Sequence, residues 1–127
     1  MRHELRAYLA LQGATKAEAA DIVLAAQEAA KNALRASLSR PVTVAAWMAD
    51  GVVWVSARDH GHGLAARPSM RCPGPWSTHG RGLCLMSALM DEVQIEHRRG
   101  TRLVMCRGLD RRLRPPRDRG APRQGAA

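Results

Sequence analysis

Glu28 and Asn32 stand four residues apart inside an alanine-rich run, DIVLAAQEAAKNALRAS, at residues 21–37. On a helix that spacing puts both side chains on one face, a turn apart. Ile22, Val23, Ala26, Ala29, Ala30 and Ala33 surround them, so the pair borders the stripe that should meet a core. A solvated helix edge carries such a pair without consequence. At the rim of a cleft the two would have work to do. Glu accepts a proton from a hydroxyl or a water, and the Asn carbonyl oxygen holds a hard cation such as Mg²⁺.

Three later segments carry chemistry of their own. Asp59-His60-Gly61-His62-Gly63 ends a run of strand character. Asp and Gly there are ordinary turn residues, or else Asp59 accepts a hydrogen bond from an exocyclic amine while the glycines let the backbone pass close to a planar ring. His60 and His62 make a poor metal site, being two ring nitrogens without further ligands nearby. Gly80-Arg81-Gly82-Leu83 leads into a helix after a Pro/Gly/Ser-rich stretch, residues 65–79. Helix N-termini offer unpaired N–H groups and the positive dipole end, so anions bind there, and Arg81 adds a cation. Thr78 and His79 precede that start and can face phosphates. Gly100-Thr101 by itself reads only as a hairpin turn; a Thr hydroxyl beneath a purine could bridge to Asp59 through water, but the residue alone does not suggest that.

The elements that must position these residues follow from periodicity and capping. Residues 2–12 read as a short helix closed by Gly13, and Thr15 with Glu18 forms a capping-box signature for a second helix running to about Leu38. Residues 42–49 and 52–58 are β-rich runs joined by Asp50-Gly51, a two-residue hairpin signal. The helix after Gly80 is followed by a second hairpin, EVQIEHRR and TRLVMCR, turned at Arg99-Gly100. The order helix, helix, strand, strand, loop, helix, strand, strand predicts an α+β two-layer sandwich, its sheet mainly antiparallel and its helices on one face.

Composition narrows the class. The 127 residues suffice for one domain. Without Phe, and with one Tyr and three Trp, the core must rest on Ala, Leu, Val and Met. Net charge is +9, of which the arginine- and proline-rich residues 108–127 hold +4. That segment reads as a basic disordered tail, and the body, residues 1–107, as the folded domain. The basic body suits phosphate-bearing ligands or acidic partner surfaces as readily as nucleic acid; the arginine tail offers a nucleic-acid-binding reading, but a solvated disordered end is the better default, so no direct nucleic-acid binding is expected. Cys72, Cys84 and Cys106 are few and scattered, which argues against a disulfide framework or a zinc site and fits a reducing cytoplasm. No apolar run has transmembrane length, so a cytoplasmic protein with no membrane partner is expected.

Taken in order, QEAAKNALRAS, RDHGHGL, THGRGLCLMSALMDEV and GTRLVM resemble the ATP-binding domain of the GHKL superfamily over about residues 2–107. That superfamily spans gyrase-type ATPases, MutL-type repair proteins, sensor histidine kinases and anti-sigma serine kinases. Sensor kinases usually carry Asn where Glu28 stands, and the gyrase and MutL types need further domains. The chain is most similar to the anti-sigma factor/serine-protein kinase family of RsbW type. The resemblance implies a Bergerat-type ATP-binding fold, ATP and Mg²⁺ as cofactors, and Glu28 as the base that activates a serine hydroxyl. It implies Asn32 as the Mg²⁺ holder and Asp59 as the reader of the adenine amino group, with Gly61, Gly63 and Leu64 shaping the base pocket. Thr78, His79, Gly80, Arg81, Gly82 and Leu83 would wrap the phosphates, Arg81 also stabilising charge in the transfer, and Thr101 would support adenine from below. The implied partners are a sigma factor and a STAS-type anti-anti-sigma protein, with the chain itself a homodimer. A catalytically silent nucleotide-binding module that regulates its partner by contact is the alternative. Family members begin with a strand ahead of the first helix. Here the sequence starts at or inside that helix, so the sheet is expected to lack its first edge strand or the start to lie upstream.

Overall fold

The computed structural model describes residues 1–37, 40–60, 81–97 and 100–109. Seven elements run in chain order: α1 (Arg2–Leu11), α2 (Lys16–Ala36), β1 (Val42–Ala49), β2 (Val52–Asp59), α3 (Arg81–Leu89), β3 (Glu92–His97) and β4 (Thr101–Gly108). The strands form one sheet in the order β1-β2-β4-β3, and every pairing among the described residues is antiparallel. The expected α+β sandwich is the observed one.

Local chemistry accounts for where the elements begin and turn. Thr15 Oγ1 accepts the Glu18 N–H at 3.1 Å and Glu18 Oε1 accepts the Thr15 N–H at 2.9 Å, so the capping box starts α2 as expected. Between β1 and β2, Asp50 (φ +52°) and Gly51 (φ +73°) both adopt the left-handed conformation of a two-residue hairpin turn. The helix α2 ends at Ala36 rather than Leu38. Ser37 takes over there, bonding back to the Leu34 carbonyl through both its N–H and its hydroxyl.

The core lies between one sheet face and the helices. Alternation along the strands sends Val53, Val55 and Ala57 of β2 and Leu103 and Met105 of β4 inward. From the helical layer come Leu5, Leu9, Ile22, Val23, Ala25, Ala26, Ala29, Ala33, Leu83, Met86 and Met90. The row of buried alanines lets α2 lie close on the sheet, which is how a core without Phe is closed. Leu9 and Met86, both fully buried, each contribute on the order of 1.5–3 kcal/mol. Arg107 ties the layers together at the far end of β4. Its Nη1 donates to Asp21 Oδ2 at 2.7 Å and to the Leu89 carbonyl at 3.2 Å, joining α2, α3 and the sheet.

The opposite sheet face carries Trp47 and Trp54, paired across β1 and β2 and stacked at 6.3 Å with planes 8° apart. Cys106, next in that row, is a buried free thiol. Cys84 is disulfide-bonded, so the scattered cysteines are not all thiols, contrary to the reading of their spacing. Wide separation in sequence says nothing of distance in the fold, and spacing alone could not exclude the bridge. Among the described residues no helix is long and apolar enough to cross a membrane.

Candidate functional site

The inner edge of α2 faces the first turn of α3. A Cβ placed on Gly82 would lie 3.2 Å from Glu28 Oε2, 3.5 Å from Asn32 Nδ2 and 3.6 Å from Asn32 Oδ1. The carboxylate and the amide therefore both point into the gap between the two helices, at the level where α3 begins. That is the cleft-facing alternative for this pair, as against the solvated-edge one. A Cβ at position 82 would press on the Glu28 carboxylate, which would have to give by a few tenths of an ångström, and would make ordinary contact with the Asn32 amide.

Glu28 divides its oxygens. Oε1 receives Lys31 Nζ at 3.3 Å from one turn along α2, while Oε2 faces Gly82. The lysine side chain is 59% exposed and that of Glu28 21%, so solvent screens the pair and its contribution to stability is ~0.2–1 kcal/mol. Its larger effect is on direction, since one oxygen is held outward and the other is presented to the cleft.

At the sheet end, Asp59 closes β2 with 1% of its surface exposed. The Thr101 N–H donates to Asp59 Oδ2 at 3.2 Å, a direct main-chain bond between the two residues. The Thr101 hydroxyl lies 3.4 Å from His97 Nδ1, across the β3–β4 pair. Gly100 makes the approach possible. Its φ is +112°, and a Cβ there would collide with the Asp59 carbonyl oxygen. The glycine that reads as a mere turn residue is thus the spacer that lets Thr101 reach Asp59.

The chain beyond Asp59 is also fastened. Arg40 Nη1 donates to the His60 carbonyl at 3.1 Å, and Thr43 Oγ1 lies 3.3 Å from His60 Nε2. His60 thus bonds to residues at the start of β1. Lys31, Arg40, Thr43 and His97 are four contributors that no motif named. Only Lys31 had a visible signal, its three-residue spacing from Glu28.

Of the remaining expected site residues, Gly61, Gly63, Leu64, Thr78, His79 and Gly80 lie outside the described residues. Arg81 opens α3, and its side chain lies outside them as well. Leu83 is 5% exposed and packs its side chain into the core, so what it can offer a ligand is main chain. As first-turn residues of α3, Arg81, Gly82 and Leu83 have N–H groups without helical acceptors, a setting that favours anions. Among the described residues no three His, Cys, Asp or Glu side chains gather as a metal cage. The donor set that is present, one amide oxygen beside one carboxylate, suits Mg²⁺, which keeps waters and takes phosphate oxygens in place of an all-protein shell.

A two-layer sandwich whose Glu/Asn helix faces a glycine-led helix, with a buried aspartate at the strand end, is a GHKL-type ATPase domain. Residues 1–107 match the family model described as histidine kinase-like ATPase domain, and the chain belongs to that family. Membership makes it an ATP-binding domain. No curated protein matches the chain.

Proposed function

We propose that the protein is an ATP-dependent serine-protein kinase of the anti-sigma type, acting on a STAS-type anti-anti-sigma protein and sequestering a sigma factor. The observation that supports this reading most is the shared approach of Glu28 and Asn32 to Gly82. It puts a proton acceptor and a cation-holding amide side by side at the helix start where phosphates would lie.

In this reading Asp59 accepts a hydrogen bond from the adenine amino group, and Thr101, which already bonds to Asp59, lies under the base. The first-turn N–H groups of α3 bind phosphate oxygens, and Arg81 adds positive charge. Asn32 Oδ1 holds Mg²⁺, which neutralises phosphate charge. Glu28 Oε2 accepts the proton of the substrate serine as its oxygen bonds to the γ-phosphorus, and the bond to the β–γ bridging oxygen breaks to release ADP. Such transfer depends on alignment and charge neutralisation more than on covalent work by the protein. The partners, a cytoplasmic location and self-association as a homodimer belong to the same proposal.

The Lys31–Glu28 ion pair favours a second reading, a nucleotide-loaded module that regulates by contact alone, because it occupies part of the carboxylate. Incubation with Mg-ATP and a candidate anti-anti-sigma protein separates the two. Phosphoserine that appears with the wild type and disappears in Glu28→Gln, with ATP affinity kept, supports the kinase. Undiminished transfer in that variant rules out Glu28 as the base, and partner regulation that survives without any phosphoserine is the contact-only module.

A further inference from the structure

Three polar side chains stand in a row across the end of the sheet, and the motifs account for only two of them. Asp59 and Thr101 lie side by side, one step beyond the Arg58–Arg102 pair of β2 and β4. His97 of β3 is the register partner of Thr101 on its other side. Alternation puts His97 on the same face as Ile95, which packs against the core, so the row lies on the helical face of the sheet. The neighbouring Glu96 falls on the opposite face, 3.7 Å from Arg102 Nη1. Within the row the Thr101 N–H is given to Asp59 Oδ2 at 3.2 Å, and Thr101 Oγ1 lies 3.4 Å from His97 Nδ1. Thr101 is buried while His97 is exposed, so the imidazole is the solvent-side member of the row.

We infer that His97 is a positioning residue for adenine recognition: its Nδ1–H donates to Thr101 Oγ1 and so turns the Thr101 hydroxyl proton toward the base. The inference rests on the reading of Asp59 as acceptor of the adenine amino group. A threonine hydroxyl has one proton and two lone pairs, and an imidazole Nδ1 either donates or accepts. In a hydroxyl–imidazole pair one of the two must therefore give the proton. The ring nitrogens that flank the adenine amino group, N1 and N7, are both acceptors. A hydroxyl beside Asp59 matches that edge of the base only as a donor. If it gave its proton to His97, it would turn lone pairs toward lone pairs. With Nδ1 protonated, as the neutral tautomer or as imidazolium, His97 supplies the bond and the hydroxyl proton goes to the base. Asp59 then reads the amino group, and the Thr101–His97 pair reads the acceptor beside it.

Mg-ADP, which carries the same base and is not consumed, is the probe. In the full chain labelled with ¹⁵N and saturated with Mg-ADP, the imidazole nitrogen resonances of His97, assigned by their loss in His97→Asn, should show a protonated Nδ1. An unprotonated Nδ1 in the loaded protein overturns the inference. Calorimetric titration supplies the second arm. His97→Leu removes the donor and should weaken Mg-ADP about three- to tenfold, the worth of one hydrogen bond. His97→Asn offers an amide N–H in its place and should bind within about twofold of the wild type. Because His97 is exposed, both variants should keep the folded circular-dichroism spectrum. In a Thr101→Val background, which lacks the hydroxyl, His97→Leu should cost nothing further. Failure of His97→Asn to restore binding, or the same loss with Thr101→Val present, overturns the inference by making His97 a structural residue only. Binding that needs Asp59 but is indifferent to His97→Leu overturns this inference alone. Binding indifferent to Asp59→Asn overturns the base reading and the inference with it.

Discussion

Glu28 Oε2 stands 3.2 Å from the point a side chain on Gly82 would occupy, so the start of α3 and the acidic edge of α2 share one small volume. Gly82→Ala tests that relationship. Inside a helix the change favours folding by roughly 0.5–1 kcal/mol. The added methyl must move the Glu28 carboxylate by a few tenths of an ångström, and Asn32 lies close behind. The expected outcome is an unchanged or slightly raised melting temperature with phosphotransfer reduced by ten-fold or more, on the order of 1.4 kcal/mol in the transition state. Thermal unfolding and single-turnover transfer, measured on one preparation, check it. A variant that melts early and transfers normally would contradict the assignment.

Asp59 is buried and bonded to Thr101, so its replacement must be read for fold and ligand separately. Asn at this position keeps an oxygen that can accept the Thr101 N–H but carries no charge. Asp59→Asn should lower ATP affinity about tenfold or more, about 1.4 kcal/mol, with a smaller loss of stability. GTP affinity should change less than ATP affinity if the carboxylate reads the adenine amino group. Titration with both nucleotides decides this, since an equal loss for the two would remove Asp59 from base recognition.

Gly100→Ala bears on the same end of the sheet through the backbone. The left-handed φ of +112° and the collision with the Asp59 carbonyl leave no room for a methyl group. Strain of about 1–3 kcal/mol is expected, and the shift in melting temperature should be about 4–8 °C per kcal/mol for a domain of this size. Gly13 is the control. It is also left-handed, at φ +86°, but meets nothing within 4 Å, so alanine there should cost only the backbone strain. Circular-dichroism melts of the two variants separate the collision from the conformation.

The architecture was legible because its signals are local. The Thr15–Glu18 box, the Asp50-Gly51 turn and the alternation of VVWVSAR each involve neighbours in sequence, and the structure contains all three. The four-residue spacing placed Glu28 and Asn32 on one face, but which face met α3 depended on packing between elements fifty residues apart. Likewise Gly100 carries only a turn signal in the sequence, and its clearance for Asp59 exists only once β2 and β4 are paired. The tie of Arg107 to Asp21 spans most of the chain, and no periodicity could announce it. Contacts made by tertiary pairing are written in no window of sequence.

Cys106 gives a prediction in pH. Burial against the sheet face pushes its thiol up to about 11 from an ordinary 9.0, and the neighbouring Glu92 and Asp91 carboxylates push the same way. Below about pH 9 the thiol is protonated in both folded and unfolded chains, so it leaves stability unchanged there. Between about 9 and about 11 the unfolded chain releases this proton while the folded chain keeps it. The unfolded state then binds fewer protons, and the sign of the linkage makes stability fall as pH rises through that window. Cys106→Ala removes the contribution, so its melting temperature should decline less steeply than that of the wild type over the same pH range. Because every other group is common to both proteins, the difference between the two curves isolates the thiol. Parallel curves would mean that Cys106 titrates alike in both states. At neutral pH the buried, protonated thiol should react with a disulfide reagent only on unfolding.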